Sequence, residues 1–264
     1  MSRAKHLMMT NSGKGGVGKT TTARLLAETL RVRCPGALLV DGNGSVGQML
    51  QYLGTRKSGK LVSPQPEPDG VRVFDLHGDE RDRDELLALL ESGAETILVD
   101  LPAESLHMLS RLDAELSFFE LVRQNGYALT LISPVTPYRA SVRDIQTALA
   151  LVPAARHIIV RNLAFGDPEN PTKSDPGDFG IWNESKTRQQ AIAMGAVIID
   201  LPRCKAGILA ALDDESISFA AGTRSPKLSI ADRQRLHVWL RGANAALEPV
   251  VESLGLAAAD EVPA

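Results

Sequence analysis

Apolar and polar positions along this chain follow two alternating periods. Short continuous apolar runs, suited to strands buried on both faces, fall at 6–10, 37–41, 71–75, 96–100, 127–132, 157–161 and 196–200. Between them, apolar residues recur every three to four positions near 20–31, 79–91, 105–123, 139–151, 185–194 and 206–220, which predicts helices. A last helix is expected over 229–253, kinked or interrupted near Pro249. Strand and helix alternating from end to end predict an α/β fold: a mostly parallel, twisted sheet of about seven or eight strands, doubly wound with helices on both faces.

Two stretches break the alternation. Residues 55–70 are polar and rich in Pro and Gly, and 163–183 form a long loop in which Phe165, Phe179 and Trp182 look exposed. Phe118 and Phe119 are adjacent on a helical pattern, so only one of them can face straight inward. The expected organisation is one domain over 1–255 followed by a small, acidic, flexible tail at 256–264.

Composition changes this picture little. With 264 residues, 44% hydrophobic and 23% charged, the chain suits one large globular domain. No apolar run approaches a membrane span, and Met1–His6 leads within a few residues into a strand, so no signal peptide is expected. Cys34 and Cys204 are too few for a disulfide framework or a cysteine-rich metal site and read as packing residues; a bacterial cytoplasmic location is the default.

The chemistry begins at residues 13–20. Gly13, Gly18, Lys19 and Thr20 satisfy the phosphate-loop spacing G-x-x-x-x-G-K-[ST]. Glycine lets backbone N–H groups turn toward phosphate oxygens where a Cβ would intrude, Lys19 would reach the outer phosphates, and the Thr20 hydroxyl would take one place on Mg²⁺. Context supports the match, because the run Leu7-Met8-Met9 precedes the loop and a pattern of Ala23, Leu26, Ala27 and Leu30 follows it, with Arg24, Glu28 and Arg31 on other faces. Asp41 and Asp100 each end an apolar strand, where a carboxylate would stand beside such a loop and hold Mg²⁺.

Residues Lys14-Gly15-Gly16-Val17-Gly18-Lys19-Thr20-Thr21, with Asp41, Asp100-Leu101-Pro102 and Val160-Arg161-Asn162, resemble the deviant Walker A motif and accompanying segments of the ParA/MinD family of dimerising ATPases. The likeness spans roughly residues 5–205 and is weaker beyond. It implies ATP and Mg²⁺ as ligands, Asn162 on the adenine edge, Pro202 and the adjoining Arg203 near the base, and a homodimer in the ATP state. Lys14 would then cross the interface to the partner's phosphates. The family usually carries Asp-x-Asp after the second strand, whereas this chain has Asp41-Gly42-Asn43. A neutral amide orients water but does not take its proton, so either hydrolysis is slow with Asp41 compensating, or the chain is a switch that barely turns over; a slow ATPase is the expectation.

Related classes sharing the lysine-rich loop fit less well. Cys34 and Cys204 lie far from the Asp100 segment, against a bridging cluster, and Tyr52, Tyr127 and Tyr138 form no terminal tyrosine cluster. Residues 246–264 hold four acidic residues and no Lys or Arg, against stable membrane binding by the tail. Arg224, Lys227, Arg233, Arg235 and Arg241 read equally as a solvated helix face or as a patch for non-specific DNA. The expected role is a switch in partition or positioning of a macromolecular cargo through an adaptor protein; the alternative is an ATP-gated scaffold with little hydrolysis.

Overall fold

A computed structural model describes residues 5–44, 47–167, 169, 178–254 and 256. Its strands are β1 (Lys5–Thr10), β2 (Leu38–Asp41), β3 (Arg56–Lys57), β4 (Lys60–Leu61), β5 (Arg72–Val73), β6 (Thr96–Asp100), β7 (Tyr127–Val135), β8 (Arg156–Asn162) and β9 (Val197–Leu201). Its helices are α1 (Lys19–Arg33), α2 (Gln48–Leu53), α3 (Glu80–Glu91), α4 (Ser105–Leu116), α5 (Phe118–Gln124), α6 (Arg139–Leu151), α7 (Gly180–Asn183), α8 (Lys186–Ala193), α9 (Ala206–Glu215), α10 (Phe219–Gly222) and α11 (Ile230–Ser253).

Seven strands form one parallel sheet in the order β5-β2-β6-β1-β7-β8-β9, and β3 and β4 make a separate antiparallel hairpin. The sheet is buried on both faces, which is why β2 and β6 read as unbroken apolar runs. Successive side chains point to opposite faces and divide the core in two. Met8, Leu39, Leu98, Ile132 and Ile158 pack with α1, α2, α9 and α11, whereas Leu7, Met9, Val40, Ile97 and Leu131 pack with α3, α4, α5 and α6. Strand order reverses about β1, with β6 on one side and β7 on the other, so a crevice opens at the carboxyl edge of the sheet beside Thr10.

The seven expected sheet strands are all present, but two helical expectations need correction. The pattern at 105–123 is two helices: Ser117 takes a left-handed conformation (φ 53°), Asp113 accepts from the Phe119 N–H, and Phe118 turns fully into the core while Phe119 is only partly buried. The pattern at 206–220 also breaks at a left-handed serine, Ser216 (φ 50°), before α10. Helix α11 has the expected extent and runs through Pro249 without interruption, with buried Leu247, Val250 and Val251 on either side of it. Helix α2, the β3–β4 hairpin and α7 were not signalled by periodicity, each being shorter than two helical turns or two strand repeats.

Phe179 and Trp182 are corrected too. They are 2% and 0% exposed, packed with Ile145 and Leu149 of α6, Ile159 of β8 and Ala191 of α8, while Phe165 is partly buried. Much of the loop that carried the expectation, 168 and 170–177, lies outside the described residues, as do 255 and 257–264 of the domain end and expected tail. Cys204 is buried in the core on the α1 side and Cys34 packs against the same cluster. Among the described residues no helix is long and apolar enough to cross a membrane.

Removing Trp182 tests this packing. Trp182→Ala is expected to lower stability by about 3–5 kcal/mol. Trp182→Phe should lose well under half of that, because among the described residues the indole Nε1 has no hydrogen-bond partner to lose. Urea unfolding of the two variants gives the comparison.

Candidate functional site

The segment between β1 and α1 is shaped by its glycines. Gly16 (φ 74°) and Gly18 (φ 103°) occupy the left-handed region, and a Cβ on Gly18 would also overlap the Asn162 amide. Gly18 is the N-cap of α1 and has no side-chain oxygen, so the first N–H groups of α1 are not capped by a side chain. Lys19 folds back along the loop: its Nζ donates to Ser12 Oγ at 3.1 Å and to the Lys14 carbonyl at 3.3 Å. The ammonium is buried, and desolvation pulls its pKa below the usual lysine range against the opposing attraction of Asp100 and Asp144. Lys14, by contrast, is exposed at the loop tip with Gly15 and Gly16.

Asp100 closes the other side of the crevice. Its Oδ1 accepts from the Thr10 hydroxyl at 2.6 Å and its Oδ2 from the Thr20 hydroxyl at 2.7 Å. Thr10 in turn accepts from the Leu101 N–H at 3.2 Å, so the turn after β6 is tied to the end of β1. The carboxyl is fully buried, and desolvation pushes its pKa up to about 6, with the Thr10 and Thr20 hydrogen bonds acting in the opposite sense and nearby Asp41 adding to the rise. The segment leaving β6 also meets the loop directly, because the Glu104 N–H donates to the Ser12 carbonyl at 3.0 Å with Glu104 at φ 60°.

Asp41 is equally buried, but its oxygens serve the chain around it. Oδ1 accepts from the Asn43 N–H at 3.1 Å and from Asn43 Nδ2 at 3.0 Å, and Oδ2 accepts from the Leu50 N–H at 3.0 Å. Burial raises its pKa while these three bonds and one from Met49 oppose the rise. A Cβ at Gly47 would overlap the carboxylate, so only glycine lets α2 dock this closely. Asn43 is held in the same web, its Nδ2 reaching the Asp100 carbonyl at 3.4 Å.

Asn162 faces the loop from the opposite side. Its Nδ2 donates to the Val17 carbonyl at 2.9 Å and its Oδ1 accepts from the Ala164 N–H at 3.1 Å. Pro202 and Arg203 follow β9; the Pro202 carbonyl accepts from Trp239 Nε1 at 2.8 Å and Arg203 Nε donates to the Leu163 carbonyl at 3.2 Å. Structure thus gathers Gly13 to Thr21, Asp41, Asn43, Asp100 and Asn162 at one crevice.

The basic residues of the C-terminal region are mostly engaged elsewhere. Lys227 pairs with Glu215 and Arg235 with Asp232, and Arg233 donates to the Ser225 and Leu228 carbonyls. Arg224 and Arg241 are exposed without a carboxylate partner among the described residues.

Two residues at the crevice escaped sequence reasoning. Asp144, on α6, accepts from the Gly13 N–H at 2.9 Å and adds a negative charge near Lys19. Gln48, first in α2, lines a cavity of about 150 Å³ with Gly16, Gly18, Lys19, Thr20 and Thr21. Nothing local in the sequence marks either one, since Asp144 lies 131 positions from Gly13 and α2 is too short for a periodic signal.

No protein-family model matches this chain, and no curated protein matches it in sequence. Solved structures do resemble it. The septum site-determining protein MinD of Pyrococcus horikoshii, described as a complex with Mg-ADP, aligns over 95% of this chain and 98% of its own, with a TM-score of 0.52 and 14% identity. The MinD cell division protein of Aquifex aeolicus aligns over 91% and 97% (TM-score 0.47, 15% identity). A nucleotide-binding protein of Archaeoglobus fulgidus in complex with ADP aligns over 83% and 88% (TM-score 0.46, 16% identity). At such identities the likeness is one of fold, carried by the Pyrococcus protein: the chain has the α/β fold of that MinD.

The raised pKa of Asp100 has a measurable consequence. Between its ordinary value of 3.8 and about 6, the folded chain keeps a proton that the unfolded chain has lost, so this group's contribution to stability is full below that window and is lost as pH rises through it. Relative to Asp100→Asn, which cannot ionise, the unsubstituted chain should lose about 2.5 kcal/mol between pH 4 and pH 8. Urea unfolding of both proteins at the two pH values checks this.

Proposed function

We propose that this chain is a Mg-ATP-dependent ATPase of the ParA/MinD type, a switch that dimerises when ATP is bound and hydrolyses it slowly. The observation that carries the reading is the Thr20–Asp100 hydrogen bond beside a buried Lys19, at the mouth of a glycine loop with left-handed turns at Gly16 and Gly18. The Mg-ADP named for the Pyrococcus protein of the same fold is consistent with it.

The residues fit such a ligand. Loop and α1 N–H groups from Gly15, Gly16, Val17, Gly18 and Thr21 would hold phosphate oxygens, the Gly13 N–H being engaged by Asp144, while Lys19 supplies the buried positive charge. A polyphosphate would replace part of the hydration Lys19 has lost, which suits an ammonium held below its usual pKa. Among the described residues no three His, Cys, Asp or Glu side chains gather into a metal cage. Mg²⁺ would therefore take Thr20 as its protein ligand, with Asp100 behind it and Asp41 further back, and fill its remaining positions with phosphate and water oxygens. Mg²⁺ bound there supplies charge neutralisation on the outer phosphates.

Asn162 steadies the loop through the Val17 carbonyl, and with Pro202 and Arg203 it would face adenine. Engagement of Asn43 with Asp41 supports slow hydrolysis, since the amide holds the β2 turn and carries no basic group for water. It also favours the second reading, an ATP-gated scaffold with little turnover. In either case the cargo is reached through a protein adaptor, and DNA contact would fall mainly to Arg224 and Arg241.

Exposed Lys14 is the group that would sense the partner's nucleotide. With a non-hydrolysable ATP analogue and Mg²⁺, light scattering should show the unsubstituted chain as a dimer and Lys14→Ala as a monomer that still binds nucleotide. Dimerisation of Lys14→Ala to the same extent, or a monomer for the unsubstituted chain, overturns the switch model.

A further inference from the structure

Five of the six described residues lining the phosphate-loop cavity, Gly16, Gly18, Lys19, Thr20 and Thr21, belong to the loop and the first turn of α1. The sixth, Gln48, is brought in from α2. It is exposed, and its carboxamide makes no hydrogen bond among the described residues. Asp41 and Asn43 do not line the cavity, and the Asn43 amide is engaged by the Asp41 carboxylate and the Asp100 carbonyl.

Helix α2 is fixed at both ends, so the placement of Gln48 is determined. At its start, Asp41 accepts from the Leu50 N–H and Gly47 packs directly on that carboxylate. At its end, the Tyr52 ring stacks on the Arg24 guanidinium of α1 with 3.3 Å to the ring centroid, and the Tyr52 hydroxyl bonds to Asp213 of α9. Met49 and Leu53 anchor the inner face in the core. An amide held beside Lys19 and Thr20, with both acceptor and donors unused, has the chemistry to orient a water molecule against the outermost phosphate.

We propose that Gln48 orients the attacking water in hydrolysis, an inference that rests on the ATPase reading above. Its Oε1 accepts a hydrogen bond from the water and its Nε2 donates to a γ-phosphate oxygen. The water oxygen bonds to the γ-phosphorus as the bond from that phosphorus to the β–γ bridging oxygen breaks. The bridging oxygen keeps the electron pair, and one water proton passes to a γ-phosphate oxygen, giving ADP and dihydrogen phosphate. A loose phosphoryl-transfer transition state asks little of a base, so a neutral amide suffices, at a modest rate. Asp41 becomes a positioning residue, acting through α2.

Steady-state phosphate release, affinity for a non-hydrolysable ATP analogue and thermal unfolding test this together. Gln48→Ala should lower kcat by roughly 10- to 100-fold, with analogue affinity within about threefold of the unsubstituted chain and an unchanged melting temperature. Gln48→Glu should add an acidic limb to the pH profile of kcat that the unsubstituted chain lacks, a signature that a structural role would not produce. Unchanged kcat in Gln48→Ala, or a fall in affinity matching the fall in kcat, overturns the assignment of Gln48 alone. An unsubstituted chain that binds the analogue but releases no phosphate overturns the inference together with the hydrolytic part of the proposed function.

Discussion

A carboxylate removed from water, Asp100, organises everything around the crevice. Burying a lone charge is unfavourable unless hydrogen bonds replace its hydration. Here two threonine hydroxyls do so, one from the end of β1 and one from the first turn of α1. The same group therefore joins β6, β1 and α1 at the point where the sheet order reverses. Desolvation still outweighs these two hydrogen bonds and pushes its pKa up to about 6. That residual is available to a cation, and a cation is what the neighbouring loop and Lys19 would deliver with a nucleotide.

Around this centre, charge is arranged in layers. Lys19 is bracketed by Asp100 on the sheet side and Asp144 on the α6 side, and the loop carbonyl of Lys14 accepts a hydrogen bond from its ammonium. Asp41, the next carboxylate along the sheet edge, is turned to structural use: it starts α2 and holds Asn43. Beyond α2, Arg24 lies between the rings of Tyr52 and Phe219, and Glu28 accepts from both the Phe219 and Ala220 N–H groups. The polar face of α1 is thus covered, and the C-terminal helices are attached to the element that begins at the phosphate loop.

Much of the fold was legible because parallel strands buried on both faces must be apolar throughout; runs such as Leu38–Asp41 and Thr96–Asp100 leave little choice. The glycine loop was legible for a similar reason, since Gly16 and Gly18 adopt conformations that other residues avoid. The misses have local causes as well. Ser117 and Ser216 break helices in the left-handed region without a glycine to announce it. Phe179 and Trp182, in a polar loop by sequence, are buried by contacts with α6 and β8 that no local window contains. Asp144 reaches Gly13 only through tertiary packing, and Gln48 reaches the cavity only because Asp41 fixes α2. Lys19 and Thr20 were picked out by spacing and Lys14 by the family resemblance; Asp100, the partner of Thr20, was read as well, whereas Asp144 beside Lys19 was not.

The central claim is that Asp100 and Thr20 form the metal side of a nucleotide site. Isothermal titration calorimetry of ATP with and without Mg²⁺ addresses it directly, using the unsubstituted chain and Thr20→Val. The account predicts that Mg²⁺ tightens ATP binding to the unsubstituted chain and that Thr20→Val erases most of this difference. Equal affinity with and without Mg²⁺ in the unsubstituted chain, or no binding of ATP at all, would contradict it.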